Sequence, residues 1–185
     1  MDTRTITDIL GRQEPATRSR FDGVYASDKL PKAPEYGKLY VINTAPSTEA
    51  GEHWVAVYVP ERFEHGHVEY YDPLGMAPFV ESIEKFLLAW PHDYVWNQDR
   101  VQSWHNITCG QHCIFFLSQR CMGISMADIT TKLLYPEDPE LSDELVNQYV
   151  EVSAGYEIAA DLNVKYDHKN QTATVYSLME KILQM

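Results

Sequence analysis

The sequence predicts an α+β fold, with a central mixed or antiparallel β-sheet, helices packed around it, and a cysteine at the N-terminus of a buried helix. Three observations predict it. Segments of period-two hydrophobicity cluster in the first half of the chain, and helical patterns dominate the second. The densest apolar run, Cys113-Ile114-Phe115-Phe116-Leu117, follows closely on Thr108-Cys109-Gly110, a helix-start signal. Strands followed by helices is the order of α+β proteins.

The elements follow in chain order. Residues 1–20 are polar and read as a short helix with a lead-in. Lys38 to Ala45 reads as a strand ending in the turn-rich stretch Pro46 to Gly51. From His53 to Val59 the alternation puts His53, Val55, Val57 and Val59 on one face and Trp54, Ala56 and Tyr58 on the other. Beyond a charged turn containing His65 and His67, Val68, Tyr70 and Asp72 alternate with Glu69 and Tyr71, so the two segments read as an antiparallel hairpin. Pro73-Leu74-Gly75 stops the second strand. Residues 78–90 read as an amphipathic helix through Phe79, Ile83, Phe86 and Leu87, with Pro78 in its first turn. Tyr94 to Gln102 alternates as a further strand. Thr108 is the expected N-cap of a helix running to Met122, with Cys113, Phe116 and Leu117 as its buried stripe. Helices are expected near 125–134, 142–152 and 173–184.

A hydrophobic fraction of 44% over 185 residues suits one folded domain with a real core. The first residues lack the apolar stretch of a signal peptide, and the Cys113–Leu117 run is too short to span a bilayer. The three cysteines, Cys109, Cys113 and Cys121, fall within 13 positions and make a poor disulfide framework. The expectation is a soluble protein of a reducing compartment, not secreted. The sequons at Asn106 and Asn170 are read as accidental. A formal charge of −12, with a denser acidic patch at Glu137, Asp138, Glu140, Asp143 and Glu144, reads as a solvated surface. Such a surface repels phosphates and weighs against a dominant nucleic-acid function.

Four residues carry the chemistry. Cys109 would sit at the first turn of an apolar helix, where unpaired amides favour the thiolate, and Gly110 would allow a substrate backbone to approach. Gln102, seven residues earlier, offers an amide NH2 to a developing oxyanion beside the Cys109 N–H. His53, at the end of an apolar stripe, lies at the rim of a core. Asp72, ending the neighbouring strand, would accept from the imidazole and fix its tautomer. Singly, each has an ordinary reading: a buried cysteine, a surface glutamine, a structural histidine, a turn-capping aspartate. In order they read Glu52-His53-Trp54, then Tyr71-Asp72-Pro73-Leu74-Gly75, then Gln102-x6-Cys109-Gly110.

In this order the sequence resembles the adenovirus protease (adenain) family, within the clan of cysteine peptidases that includes the ubiquitin-like-protein proteases. Phe21-Asp22-Gly23-Val24-Tyr25 followed by Leu30-Pro31, and Val41-Ile42-Asn43-Thr44-Ala45, resemble further family segments. The Gln-to-Cys interval fits the adenovirus form; the ubiquitin-like-protein proteases usually have one residue fewer. The resemblance spans about residues 21–122, the expected catalytic core of a single cysteine protease domain over 1–185, with a helical region about 123–185.

The resemblance implies an endopeptidase with Cys109 as nucleophile, His53 as base, Asp72 orienting His53, and Gln102 with the Cys109 amide as oxyanion hole. Adenovirus enzymes carry Glu at the Asp72 position, while the wider clan commonly has Asp. Trp54, Glu52 and Gly110 would border the substrate. Substrates would be virion precursor proteins cut at glycine-containing sites by a monomer acting in the virion and host nucleus, with no membrane partner. Family members are stimulated by a short peptide, which can be disulfide-linked to a cysteine before the glutamine. This chain has no cysteine before Cys109, so that link has no equivalent. Family members also use DNA as a cofactor, which a charge of −12 opposes. The alternatives are a deubiquitinase or ubiquitin-like-protein protease with the same machinery, a metal-binding domain using His105, Cys109, His112 and Cys113, and an inactive binding domain. The expected site holds no metal.

Overall fold

The structure, a computed structural model, describes residues 1–62 and 66–161, with side chains described through residue 154. The elements run α1 (Thr3–Arg12), α2 (Pro15–Arg20), β1 (Phe21–Ala26), β2 (Leu39–Asn43), β3 (Trp54–Tyr58), β4 (Val68–Tyr71), α3 (Glu81–Leu88), β5 (Tyr94–Trp96), α4 (Cys109–Cys121), α5 (Met126–Asp128), a π-helical turn (Ile129–Leu133) and α6 (Pro139–Asp161). The class is α+β, as the order of patterns predicts.

The sheet has the strand order β1-β2-β3-β4-β5. It is mixed: the two outer pairs, β1–β2 and β4–β5, are parallel, while β2–β3 and β3–β4 are antiparallel. β3 is central and all five of its residues are buried. Its alternation therefore divides two apolar layers rather than core from solvent. Trp54, Ala56 and Tyr58 join Tyr71 in a core with α1, α4 and α6, whereas Val55, Val57 and Val59 join Val68 and Tyr70 in a core under α3.

Ten of the thirteen residues of α4 are buried. A helix apolar on nearly every side belongs inside a protein, and α4 lies between the sheet on one side and α1 and α6 on the others. Phe116 on α4 stacks on Tyr71 of β4 with ring centroids 4.3 Å apart and planes 3° from parallel. At the far end of α4, Arg120 forks onto Glu69 at 2.6 and 3.1 Å and lies over the Tyr58 ring, tying the helix to β3 and β4.

Several boundaries differ from the sequence reading. Residues 1–20 form two helices. The Phe21–Tyr25 segment is itself an edge strand. α3 starts at Glu81, after Pro78, and Phe79 lies outside it at 61% exposure. β5 is only three residues long, because the Asn97 side chain takes over from the backbone ladder: its amide meets Asp72 N at 2.9 Å and Asp72 O at 2.7 Å. The expected 125–134 helix is a short α-turn continued by a π-turn, and the expected 142–152 helix is the longer α6. The expected helix at 173–184 lies outside the described residues. Among the described residues no helix is long and apolar enough to cross a membrane.

The α4–sheet contact gives a direct test. Phe116→Ala removes a fully buried ring from the stack on Tyr71, and should cost about 3–5 kcal/mol in urea unfolding. A loss below about 1 kcal/mol would show that α4 does not pack on the sheet in this way.

Candidate active site

The two polar residues proposed to act together lie just beyond the pleat. His53 precedes β3 by one residue, and Asp72 follows β4 by one. Extended alternation would carry both to the α3 side, with Val55 and Tyr70. Cys109, however, starts α4 on the opposite side and packs with Trp54 and Tyr71. Because His53 and Asp72 sit past the strand ends, the alternation no longer fixes their faces, and both side chains converge on α4. His53 Nε2 lies 2.8 Å from Asp72 Oδ1, and the Cys109 thiol is within hydrogen-bonding reach of the same imidazole. With Nε2 committed to the carboxylate, Nδ1 is the nitrogen left for sulfur.

Asp72 has no exposed surface. The Asp72-Pro73-Leu74-Gly75 sequence is a tight turn that holds it. Gly75 N donates to Asp72 O at 2.8 Å, and Leu74 N donates to Asp72 Oδ1 at 2.8 Å. Gly75 has φ +71, and a Cβ there would lie 2.9 Å from the backbone of residues 98–100, so both the conformation and the close approach require glycine. Asn97 fixes the Asp72 backbone from the other side. Among the described residues nothing donates to Asp72 Oδ2, which leaves His53 as the cation this carboxylate faces.

Cys109 is 8% exposed. Thr108 occupies the expected N-cap position, but its hydroxyl makes no cap bond; it donates instead to Asp143. The first turn of α4 thus carries no side-chain cap, and the Gly110 amide acts on the thiol. Burial pushes the Cys109 thiol up, but the His53 ring and the Trp54 and Gly110 amides outweigh it and hold the thiol below its usual value. Burial likewise pushes His53 down, yet Asp72 and Cys109 carry it up to about 9. The two shifts run in the direction of a thiolate–imidazolium pair. The two groups titrate as a unit.

Gln102 is buried in the loop after β5, not on an extended strand. Its backbone N–H and that of Val101 donate to Pro73 O at 3.0 and 2.9 Å, so the loop is tied to the residue after Asp72. Gln102 Nε2 donates to Asn106 O at 2.8 Å. A carbonyl partner fixes the NH2 end of the amide there, and the second N–H remains for another acceptor.

The flanking residues fall into place less uniformly. Trp54 is 8% exposed and its indole donates to Met1 O at 3.1 Å. The space beside Gly110, expected to admit a substrate backbone, is filled instead: a Cβ there would lie 3.1 Å from Met1 Cβ and 3.4 Å from Ile6 Cδ1. The glycine therefore permits the N-terminal segment to pack on α4. Glu52 is exposed, with its amide donating to Asn43 Oδ1 at 3.2 Å. The metal reading fails on geometry, since His112 is wholly buried with Nε2 on Asp143 at 2.9 Å and Nδ1 facing Tyr71 Oη at 3.4 Å.

Asp143 is the residue the sequence misplaces. It reads as part of a solvated acidic patch but is 2% exposed and fully partnered. Its donors lie more than 30 residues away in sequence, and no local pattern signals them.

No protein-family model matches the chain. It is 29% identical over 124 residues to the SUMO-1 cysteine protease of African swine fever virus, Tick/South Africa isolate. It is 28% identical over 124 residues to the cysteine protease of the Vero-adapted Badajoz strain. Each match covers 62% of this chain and 45% of the relative, so the chain matches about half the length of these curated relatives. Among solved structures, the African swine fever virus protease crystal structure aligns with a TM-score of 0.49 at 19% identity, covering 71% of this chain and 61% of that one.

The pKa shifts set the pH dependence of the thiol. Because Cys109 is held below the 9.0 of an unperturbed thiol, its alkylation by iodoacetamide should rise along a single limb with a midpoint below 9. His53→Ala removes the main stabilising partner and should move that midpoint up. Identical midpoints in the two proteins, followed by mass spectrometry of the Cys109 peptide, would contradict the ion pair.

Proposed function

We propose that the chain is a cysteine endopeptidase of the viral type, in which Cys109, His53 and Asp72 act in sequence. The observation that carries this reading is the contact chain from a thiol held low, through an imidazole held up to about 9, to a buried carboxylate 2.8 Å away. The similarity to viral cysteine proteases supports it.

In this reading the Cys109 thiolate attacks the scissile carbonyl, forming a C–S bond while the carbonyl electron pair moves onto oxygen. The Gln102 amide and the Cys109 N–H receive that charge. His53 delivers the Nδ1 proton to the leaving nitrogen as the C–N bond breaks, and a thioester remains. Water then attacks the thioester, giving its proton to His53, and the carboxylic acid leaves with return of the thiolate. Asp72 holds the ring in one orientation throughout. Trp54 and Glu52 flank the substrate.

The substrates proposed are precursor proteins of a virion, cleaved at glycine-containing sites. A second reading, a protease of ubiquitin-like modifiers, has a specific observation in its favour: the relative from the Tick/South Africa isolate is named a SUMO-1 cysteine protease. An activating peptide, if used, would bind without a disulfide to a cysteine before Gln102, and the acidic chain disfavours a DNA cofactor.

The test is incubation of the full chain with structural precursors encoded in its own genome, and separately with SUMO-1 carrying a C-terminal propargylamide. Cleavage of a precursor next to glycine, abolished by Cys109→Ala, is expected. Labelling of Cys109 by the SUMO-1 probe with no precursor cleaved would transfer the assignment to the second reading, and neither reaction would reject the protease. On a cleaved substrate, Gln102→Ala should lower kcat about 10²–10³-fold. Because His53 must carry a proton to the leaving group and is held up to about 9, kcat/KM should fall as pH rises through about 9. Activity still climbing above pH 10 would contradict that role.

A further inference from the structure

Asp143 lies in the first turns of α6, yet its carboxylate serves the loop that precedes the nucleophile. Oδ2 accepts from Ser103 N at 3.1 Å and from Asn106 Nδ2 at 2.8 Å. Oδ1 accepts from Thr108 Oγ1 at 2.5 Å and from His112 Nε2 at 2.9 Å. Three of these four donors fall between Gln102 and Cys109, and the fourth is one turn into α4. The Asn106 held by Asp143 is the same residue whose carbonyl receives Gln102 Nε2 at 2.8 Å. A continuous path therefore runs from α6 through Asn106 to the Gln102 amide, and through Thr108 to the residue before Cys109.

The site is built for a carboxylate. All four partners point hydrogens at it, so both oxygens must accept. Burial pushes the Asp143 carboxyl up, but the bonds from His112, Thr108, Asn106 and Ser103 outweigh it and hold it well below the usual range. His112, fully buried, is held below its ordinary value by burial against the pull of Asp143. A neutral ring with its hydrogen on Nε2 satisfies Asp143 and leaves Nδ1 to accept from Tyr71 Oη, 3.4 Å away. The pair is thus an anchor, with both oxygens of Asp143 and both ring nitrogens of His112 committed to partners.

We propose that Asp143 is a positioning residue that fixes the 102–108 loop, so that the Gln102 amide and the Cys109 N–H converge on one oxyanion. It rests on the reading of those two groups as the oxyanion donors. It also assigns a role to α6: the C-terminal helical region supplies the outer support of the site rather than only covering the core.

The experiment separates thiolate formation from oxyanion binding in the full chain. Iodoacetamide alkylation of Cys109 needs the thiolate and forms no oxyanion. Acetyl-Gly-glycinal forms a hemithioacetal whose oxygen occupies the hole, and its affinity is read from protection of Cys109 against iodoacetamide. Asp143→Asn keeps the shape but sets an NH2 against two donors. It should leave alkylation within about twofold while weakening the aldehyde about tenfold or more. In a Gln102→Ala background the further loss should be clearly smaller than in the wild type, because only the path through Thr108 to the Cys109 N–H remains. Asn106→Ala, at an exposed position, cuts the same path with less risk to folding and should weaken the aldehyde severalfold, again without adding to Gln102→Ala. Unchanged aldehyde affinity in a folded Asp143→Asn or in Asn106→Ala, or losses that multiply in full with Gln102→Ala, would overturn the proposal. If the aldehyde gives the wild type no protection, the oxyanion reading itself fails and the proposal falls with it.

Discussion

A carboxylate with no exposed surface costs several kcal/mol unless donors meet it, and Asp72 is such a carboxylate. Much of the site's architecture answers that constraint. The turn from Asp72 to Gly75 brings one backbone N–H to it, and a glycine with φ +71 lets residues 98–100 close over the turn. Pro73 in turn accepts from the Gln102 backbone. The remaining donor is His53, so the charge of Asp72 and the ring of His53 depend on each other. Cys109 then gains from a histidine held up to about 9.

Among the described residues two His–Asp pairs have nearly equal separations, 2.8 Å for His53–Asp72 and 2.9 Å for His112–Asp143, and their behaviour differs. Asp143 has three donors besides His112, and that ring, with no exposure, is held low. Asp72 has one donor besides His53, and that ring keeps 14% of its surface open and meets the Cys109 thiol as well. Distance alone would not tell the two apart. The count of competing donors and the access of the ring do.

His53, Asp72 and Cys109 are legible in the sequence because they sit at element ends, where each signal is ordinary alone and their order along the chain carries the reading. His53 follows the Gly51 turn, the Asp72–Gly75 turn has a glycine its geometry requires, and Cys109 opens an apolar helix. The pleat misleads at those ends, placing His53 and Asp72 on the wrong side, because alternation stops governing direction once the ladder stops. Gly110 misleads for a related reason: its local sequence shows that a side chain is missing, whereas what fills the space, Met1 and Ile6, comes from the far end of the chain. Asp143 was hidden most completely, since neighbouring acidic residues on α6 are solvated and only the tertiary fold turns this one inward. The β5 strand fell short because a side chain, Asn97, does the work of the backbone there.

In the proposed mechanism Cys109 and His53 form an ion pair held by Asp72. ¹⁵N NMR of the His53 ring in the full chain at pH 7 tests it most directly. Both ring nitrogens should carry protons, Nε2 shared with Asp72 and Nδ1 with the Cys109 thiolate. A His53 spectrum showing one unprotonated ring nitrogen at pH 7 would contradict the account.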